Sequence, residues 1–227
     1  HRCHHHAVVV AAEQTAATAR TAAGRAEHED GQDLAEAADP NGPGLKRILS
    51  EQFNPIINKI RNLEKPVVAA VNGVAAGAGA NIALSCDIVV AVNTASFIQA
   101  FSKIGLIPDS GGTYILPRLI GWQRASALMM MGDKVSAEEA EKMGMLYKVF
   151  SPENFPAESI KIADTLSQMP TKGLALTKQA LNRSVLNNIE QQLQVEDELQ
   201  TIAGGTHDYN EGVAAFIQKR LPNFKGE

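Results

Sequence analysis

The feature that most constrains the fold is a pair of short apolar segments separated by a turn rich in glycine and alanine. The segments are Pro66–Val71 and Asp87–Val92, and both are dominated by Val, Ala and Ile. Continuous apolar runs of this kind are typical of strands buried on both faces of a parallel sheet. The intervening residues lead into a short helix predicted at Asn81–Ser85. Strand, helix and strand in this order predict a right-handed crossover between parallel strands.

The rest of the chain continues this alternation and then becomes entirely helical. Leu45–Leu63 has apolar residues at three- and four-residue spacing, which predicts an amphipathic helix interrupted near Pro55. The elements predicted next are an extended segment at Phe97–Phe101, a turn at Ile104–Thr113 leading into a helix that runs towards Gly121, a helix at Trp122–Met131, a helix at Ser136–Met143 with a capping box, and a strand at Leu146–Phe150. The four helices predicted after them are Phe155–Gln168, Thr171–Leu186, Ile189–Ala203 and Asp208–Lys219. We therefore expect an α/β core over residues 1–169 and a helical region over residues 170–227.

Composition excludes several classes of function. The chain has 227 residues, of which 44% are hydrophobic and 20% charged, and this is ordinary globular composition. A net charge of −4 provides no basic surface for nucleic acid or an anionic membrane. No apolar run approaches the roughly 20 residues that a membrane-spanning helix needs. Two cysteines are too few for a disulfide scaffold, so we expect a cytoplasmic protein with no nucleic-acid or membrane partner.

The amino-terminal end differs from the rest of the chain in composition, because it has a histidine cluster followed by an alanine-rich stretch. His1–His6 holds four histidines, which we interpret as the remnant of a tag, a metal cluster being the alternative. Residues Ala11–Ala26 are rich in alanine and have little apolar periodicity. They are interpreted as a helix without a distinct apolar face or as a low-complexity segment.

The glycine turn is the first candidate for chemistry. Gly77-Ala78-Gly79 lies after a strand and before a helix, where exposed backbone N–H groups can collect around an anion. A dinucleotide site is disfavoured, because Ile82 occupies the position of the third glycine of that motif. An oxyanion hole and a simple packing turn both fit the pattern.

Several ordered motifs resemble the crotonase superfamily, also called the enoyl-CoA hydratase/isomerase superfamily. The resemblance covers the chain from about Gly31 to its end. The motifs that carry it are Gly31–Leu34, Lys65–Gly79, Cys86–Ile88, Ile107–Thr113 and the terminal Gly212–Gly226.

The resemblance implies an α/β, crotonase-like (ClpP/crotonase) spiral of ββα units with a carboxyl-terminal helical trimerisation region. It also implies an acyl-CoA thioester substrate, a homotrimer or a hexamer built as a dimer of trimers, and no metal or cofactor beyond the coenzyme A carried by the substrate. Its two oxyanion donors fall on the backbone N–H groups of Ala78 and Asp30. The family usually has a small residue where Asp30 stands. The residues implied in binding substrate are Gly31, Asp33, Leu34, Gly77, Phe101 and Gly112, with Lys225 at the coenzyme A.

Carboxylates distinguish the activities within the superfamily. A hydratase of this type uses two glutamates, which by motif fall at Asn81 and Phe101, and neither residue can act as a base. Isomerases of the superfamily have their single catalytic carboxylate at the position of Asp109. The neighbours of Asp109 are apolar, and partial desolvation tends to raise a carboxylate pKa towards useful basicity. The alternative is that Asp109 is an ordinary N-cap of the following helix. We expect Asp109 to be catalytic.

Further motifs resemble the isomerases of phenylacetate degradation, which act on the ring-1,2-epoxide of phenylacetyl-CoA. These motifs are Ala76–Ala80, Ala100–Asp109, Leu116–Arg118 and Glu211–Phe216. The resemblance implies a 2-(1,2-epoxy-1,2-dihydrophenyl)acetyl-CoA isomerase, a Δ3–Δ2 enoyl-CoA isomerase, or both, in phenylacetate catabolism or fatty acid metabolism. The alternative is a catalytically silent acyl-CoA-binding protein that lacks the hydratase glutamates, which Asp30 favours and Asp109 opposes.

Several other residues are expected to have structural roles only. Cys86 is expected to be a small core residue, Met129–Met131 to be helix core, and Asp87 to cap or brace its strand. Apolar positions in the two helices after residue 170 exceed what a short tail needs, and they predict an interface between subunits. These positions are Leu174, Leu176, Leu181, Leu193, Val195 and Leu199.

Overall fold

Two β-sheets organise the part of the chain that the computed structural model describes, which comprises residues 8–12, 42 and 44–227. The first sheet has four strands in the order β1-β2-β4-β7, and the second has three in the order β3-β5-β6. The strands are β1 (Val8–Ala12), β2 (Val67–Val71), β3 (Val74–Ala76), β4 (Ile88–Val92), β5 (Ser96–Ile98), β6 (Lys134–Ser136) and β7 (Lys148–Phe150). β4 pairs in parallel with both β2 and β7. The parallel pairing predicted for the two apolar segments is confirmed.

The helices follow the predicted order closely. They are α1 (Gly44–Arg47), a π-helical segment (Ile48–Phe53), α2 (Asn54–Asn62), α3 (Ala78–Leu84), a 3-10 segment (Ala100–Ile104), α4 (Gly112–Ile120), α5 (Trp122–Met131), α6 (Ala137–Lys142), α7 (Phe155–Ser167), α8 (Thr171–Ser184), α9 (Ile189–Gly204) and α10 (His207–Gln218). The capping box of α6 is present, because the Ser136 and Glu139 side chains each accept from the other residue's backbone N–H. The π-helical segment explains the interruption near Pro55. Proline cannot donate a helical hydrogen bond and crowds the carbonyl four residues before it, and the wider π turn relieves this.

Two consecutive ββα units form the centre of the fold. In the first, β2 lies in the four-stranded sheet, β3 lies in the three-stranded sheet, and α3 follows. β4, β5 and α4 repeat this order. Every residue of β2 and α3 is buried, so the core lies between these elements. The sequence did not predict β3, and the helix predicted at Asn81–Ser85 begins three residues earlier, at Ala78, directly after the glycine turn.

Asp87 braces the start of the first ββα unit. Its Oδ2 accepts a hydrogen bond from the Val67 N–H at 2.8 Å, and its own N–H donates to the Val67 carbonyl at 2.9 Å. The predicted bracing role of Asp87 and the predicted burial of Cys86 are confirmed. The interpretation of Met129–Met131 as helix core is wrong for two of its residues, because Met130 and Met131 are largely exposed. They lie at the carboxyl-terminal end of α5, on its exposed side.

The predictions for the amino-terminal end fall mostly outside the described residues. These are the tag-like His1–His6, the alanine-rich stretch from position 13 onward, and the site residues Asp30, Gly31, Asp33 and Leu34. Ala11 and Ala12 belong to β1, so the helix interpretation is wrong at those two positions.

The described residues divide into two compact units. The larger contains residues 44–60 and 67–160, and the smaller contains Arg61–Pro66 and Lys161–Glu227. In the smaller unit, Leu176 and Leu199 are buried, because α8 and α9 pack on each other. The expectation that these two leucines belong to a subunit interface is therefore corrected, whereas Leu181 and Leu193 are exposed. The division into a core and an oligomerisation region after residue 169 stays a prediction.

Two acidic residues of α10 hold the carboxyl-terminal tail of the smaller unit. Glu211 accepts from the Arg220 guanidinium at 2.6 and 2.8 Å and from the Asn223 N–H at 2.7 Å. Asp208, which is buried, accepts from the N–H groups of Lys225 and Gly226, both at 2.7 Å. These bonds fix the backbone of the tail onto α10.

Acid is expected to loosen this tail through Glu211. The pKa of Glu211 is lowered from 4.5 to about 2, first by the Arg220 hydrogen bonds and then by the Asn223 N–H. A carboxyl with a depressed folded-state pKa stabilises the fold above its ordinary pKa, and that stabilisation is lost as the pH falls towards the folded-state value. The free energy of unfolding can be measured with urea at several pH values. Below pH 4.5 it should fall less with decreasing pH for Glu211→Gln than for the wild type. Glu196→Gln, at an exposed position of α9, is the control, and a decline unchanged in Glu211→Gln would contradict this assignment.

Candidate active site

The glycine turn between β3 and α3 presents a backbone donor. Gly77 has φ 54° and ψ −125°, a conformation that favours glycine, and its N–H donates to the Ile98 carbonyl at 2.9 Å. Ala78 is the first residue of α3, so its N–H has no partner within the helix. No acceptor for the Ala78 N–H is present among the described residues. The Ala78 N–H is therefore available to a substrate oxygen.

Asp109 lies in the turn immediately before α4, and its side chain does not cap that helix. The N-cap of α4 is Gly111, which makes no side-chain capping bond. The Asp109 backbone carbonyl accepts from the Gly112 N–H at 2.8 Å, and its carboxyl accepts from the Ser110 hydroxyl at 2.9 Å. The alternative interpretation of this carboxyl as an ordinary helix cap is therefore wrong.

Burial makes the Asp109 carboxyl more basic than usual. Desolvation raises its pKa above the ordinary value of 3.8, and the hydrogen bond from Ser110 opposes that rise. The direction agrees with the expected effect of apolar neighbours. Ile107 contributes little to it, however, because its side chain is 80% exposed, whereas Leu106 and Pro108 are half-buried.

Asn81 connects the glycine turn with the Asp109 turn. Its side-chain Nδ2 donates to the Asp109 backbone carbonyl at 2.9 Å, and its Oδ1 accepts from the Gln99 Nε2 at 2.8 Å. Asn81 is 1% exposed and is the polar side chain of an otherwise apolar helix. Sequence reasoning treated Asn81 only as a missing glutamate and did not single out Gln99. A polar residue within the buried run Ala78–Leu84 was the available signal, because buried amides need partners.

Phe101 and Gly112 complete the site by close packing. Phe101 lies in the 3-10 segment, not in an extended segment as predicted, and its buried ring faces Gly77, where an added Cβ would lie 3.6 Å from it. A Cβ at Gly112 would lie 2.6 Å from the Asn81 Cγ, so only glycine fits there without displacing the amide. The structure thus brings together Gly77, Ala78, Phe101, Asp109 and Gly112.

Lys225 lies in the smaller unit, on the tail that α10 holds. Its backbone N–H donates to Asp208, and its side chain is exposed. Within the described residues, no group of three or more His, Cys, Asp or Glu side chains is arranged to hold a metal ion. No helix in the same part of the chain is long and apolar enough to cross a membrane.

Comparison with known proteins gives consistent matches to one family. The family model described as enoyl-CoA hydratase/isomerase matches residues 28–227. The chain is 46% identical over 200 residues to the 1,2-epoxyphenylacetyl-CoA isomerase of Escherichia coli, covering 87% of this chain and 76% of the relative. It is 36% identical over 179 residues to the trans-2-decenoyl-[acyl-carrier-protein] isomerase of Streptococcus mutans, covering 79% and 68%. The crystal structure of an enoyl-CoA hydratase from Bacillus anthracis matches with a TM-score of 0.82 at 33% identity, covering 87% of this chain and 76% of that one.

Proposed function

Because the chain belongs to the enoyl-CoA hydratase/isomerase family of enzymes and has the crotonase fold, we propose that it is an acyl-CoA isomerase with one catalytic carboxylate, Asp109. The proposed reactions are the rearrangement of the ring-1,2-epoxide of phenylacetyl-CoA and the shift of a double bond between the Δ3 and Δ2 positions of an enoyl-CoA. The observation that carries this proposal is the half-buried Asp109 carboxyl, which has a raised pKa and no capping role.

The side chains at the two hydratase positions support isomerisation over hydration. Asn81 is engaged through both atoms of its amide, and Phe101 is a buried aromatic residue. Neither can activate a water molecule as a base, because neither has a titratable group. Asp109 is then the carboxylate available at the described part of the site. The names of two similar relatives, a 1,2-epoxyphenylacetyl-CoA isomerase and a trans-2-decenoyl-[acyl-carrier-protein] isomerase, favour the same reaction class.

The proposed mechanism uses the backbone to stabilise charge and Asp109 to move a proton. The thioester carbonyl accepts from the Ala78 N–H and from a second donor, which we assign to the Asp30 N–H. These donors stabilise the enolate oxygen that develops when a proton leaves the neighbouring carbon. Asp109 takes that proton and returns it at another carbon of the conjugated system, so the substrate and product have the same composition. In the epoxide reaction, Asp109 takes the proton from the carbon next to the thioester and returns it to a ring carbon. The carbon–carbon bond shared by the epoxide and the six-membered ring breaks, so the product is an oxepin of the same composition.

The remaining site residues are assigned by the same proposal. Gly77, Phe101 and Gly112 would contact the acyl group, together with Gly31, Asp33 and Leu34, and Lys225 would contact coenzyme A. The proposal needs no cofactor other than the coenzyme A of the substrate. We further propose a cytoplasmic homotrimer, or a hexamer made of two trimers.

A panel of acyl-CoA thioesters, combined with calorimetric titration of a non-reactive acyl-CoA, tests the function. The panel contains the ring epoxide of phenylacetyl-CoA, a Δ3-enoyl-CoA and a Δ2-enoyl-CoA. We expect products of unchanged mass from the first two and no addition of water to the third. Binding without turnover of any thioester would indicate a silent acyl-CoA-binding protein. Rapid hydration of the Δ2-enoyl-CoA would indicate a hydratase, and either result would overturn the proposal.

A further inference from the structure

We propose that Asn81 is a positioning residue that holds the Asp109 turn in register with α3, and that Gln99 fixes the orientation of the Asn81 amide. This inference rests on the proposed function, since it concerns the placement of the Asp109 base relative to the Ala78 N–H. Asn81 does not touch the substrate in this proposal and acts only through Asp109.

The hydrogen bonds determine which way the amide of Asn81 faces. A backbone carbonyl can only accept, so the amide nitrogen of Asn81 must face the Asp109 carbonyl, 2.9 Å away. The amide oxygen then faces Gln99, whose Nε2 donates to it at 2.8 Å. Asn81 and Gln99 are 1% and 5% exposed, so little water competes for these bonds.

Packing holds the amide from a further side. The position of a Cβ at Gly112 overlaps the amide group of Asn81, so the first turn of α4 lies directly against it. Ala78 and Asn81 are three residues apart on the same buried helix, and such residues lie on neighbouring positions of its surface. One short helix therefore has both the proposed oxyanion donor and the amide that holds the turn of the proposed base.

The Gln99 side chain supports a role in orientation. Its Nε2 is used by Asn81, whereas its Oε1 is buried with no hydrogen-bond partner among the described residues. The hydrogen bond to Asn81 is therefore the one that fixes the Gln99 amide among the described residues.

Asn81→Ala should lower kcat about 10- to 100-fold and leave KM and acyl-CoA affinity within about twofold, because a misplacement of about 1 Å can cost 10² in rate. Gly112→Ala keeps every hydrogen-bonding group but pushes on the amide, so it should lower kcat in the same way. In the Asn81→Ala background the added methyl has space, and the effect of Gly112→Ala on kcat should largely disappear. This non-additivity is a signature of coupling between the two positions.

Asn182→Ala is the matched structural control. The Asn182 amide also donates to a backbone carbonyl, that of Arg61, at 2.9 Å, and it accepts from the Arg61 guanidinium. Loss of the Asn182 amide should lower Tm without changing kcat.

A folded Asn81→Ala protein with wild-type kcat, or one in which only KM rises, would overturn the inference. If Asn81→Ala does not fold, Gln99→Ala decides the question by the same criterion, because it removes the donor to the Asn81 amide and no proposed substrate contact.

Asp109→Asn, measured beside these variants, separates the two proposals. Loss of activity in Asp109→Asn with full activity in Asn81→Ala and Gly112→Ala would overturn the positioning role alone. Full activity in Asp109→Asn would overturn the proposed function, and the positioning role with it.

Discussion

Asp109→Asn is expected to lower kcat by about 10²–10⁴, the usual contribution of a positioned acid or base. Asparagine keeps the size of the side chain and can still accept from the Ser110 hydroxyl, but it cannot take a proton at neutral pH. Acyl-CoA affinity should stay within about twofold, because the backbone of the turn is unchanged. The measurement is steady-state kinetics on the Δ3-enoyl-CoA, with binding measured by calorimetry.

The same substitution should not destabilise the protein near neutral pH. A carboxyl whose folded-state pKa is raised favours folding below its unfolded pKa, and this contribution is lost as the pH rises through the folded value. At neutral pH the wild type therefore has a partly desolvated charge that Asp109→Asn removes. We expect a Tm equal to or above that of the wild type. A large fall in Tm would indicate that Asp109 is structural.

The pH dependence of the wild type offers a further check on the same residue. If Asp109 is the base, kcat should rise with pH as this carboxyl loses its proton, with a midpoint above the ordinary value of 3.8. Asp133→Asn, at an exposed position of the same unit, should leave both kcat and the midpoint unchanged. A folded Asp109→Asn protein with wild-type kcat would show that the base is another residue.

Association of the chain is expected to depend on exposed apolar residues of the carboxyl-terminal helices. Leu181, Leu186, Ile189 and Leu193 are all more than half exposed, and neighbouring apolar residues of this kind usually mark an interface. Light scattering should give a mass about three or six times 24.3 kDa, since closed symmetric assemblies are the rule. Leu181→Asp combined with Leu193→Asp should return the mass of the single chain, because each substitution buries an unpaired charge in the interface.

The control for that experiment is Gln194→Asp, which adds a charge to α9 without removing apolar surface. It should leave the mass unchanged. A wild-type mass near 24.3 kDa at micromolar concentrations would contradict the predicted assembly.

The strongest predictions from the sequence were those with local signals. β2 and β4 were predicted because short unbroken runs rich in Val and Ile are typical of buried strands, and the capping box of α6 was predicted from Ser136 and Glu139 alone. The three-residue strands β3 and β6 were missed, because so short a segment is decided by the strand it pairs with. Phe101 was wrongly placed in an extended segment, because β5 ends at Ile98 and a 3-10 segment begins at Ala100.

The apolar content of a helix did not predict which of its apolar residues are buried. Met130 and Met131 are exposed, whereas Leu176 and Leu199 are buried within their own unit. All four lie in correctly predicted helices. The face that a helix buries depends on its neighbours in the fold, which periodicity alone does not identify.

The sequence by itself determined the strand, glycine turn and helix order, and it determined that one carboxylate, Asp109, follows where two glutamates are absent. Only the tertiary structure decided that this carboxylate does not cap α4 and that Asn81 connects it to the glycine turn. Asn81 lies 28 positions from Asp109 and 18 from Gln99, and Gly112 is required because of the amide it packs against. Such contacts join residues far apart in the chain, and they have no local pattern because they exist only once α3, α4 and the segment after β5 have packed together.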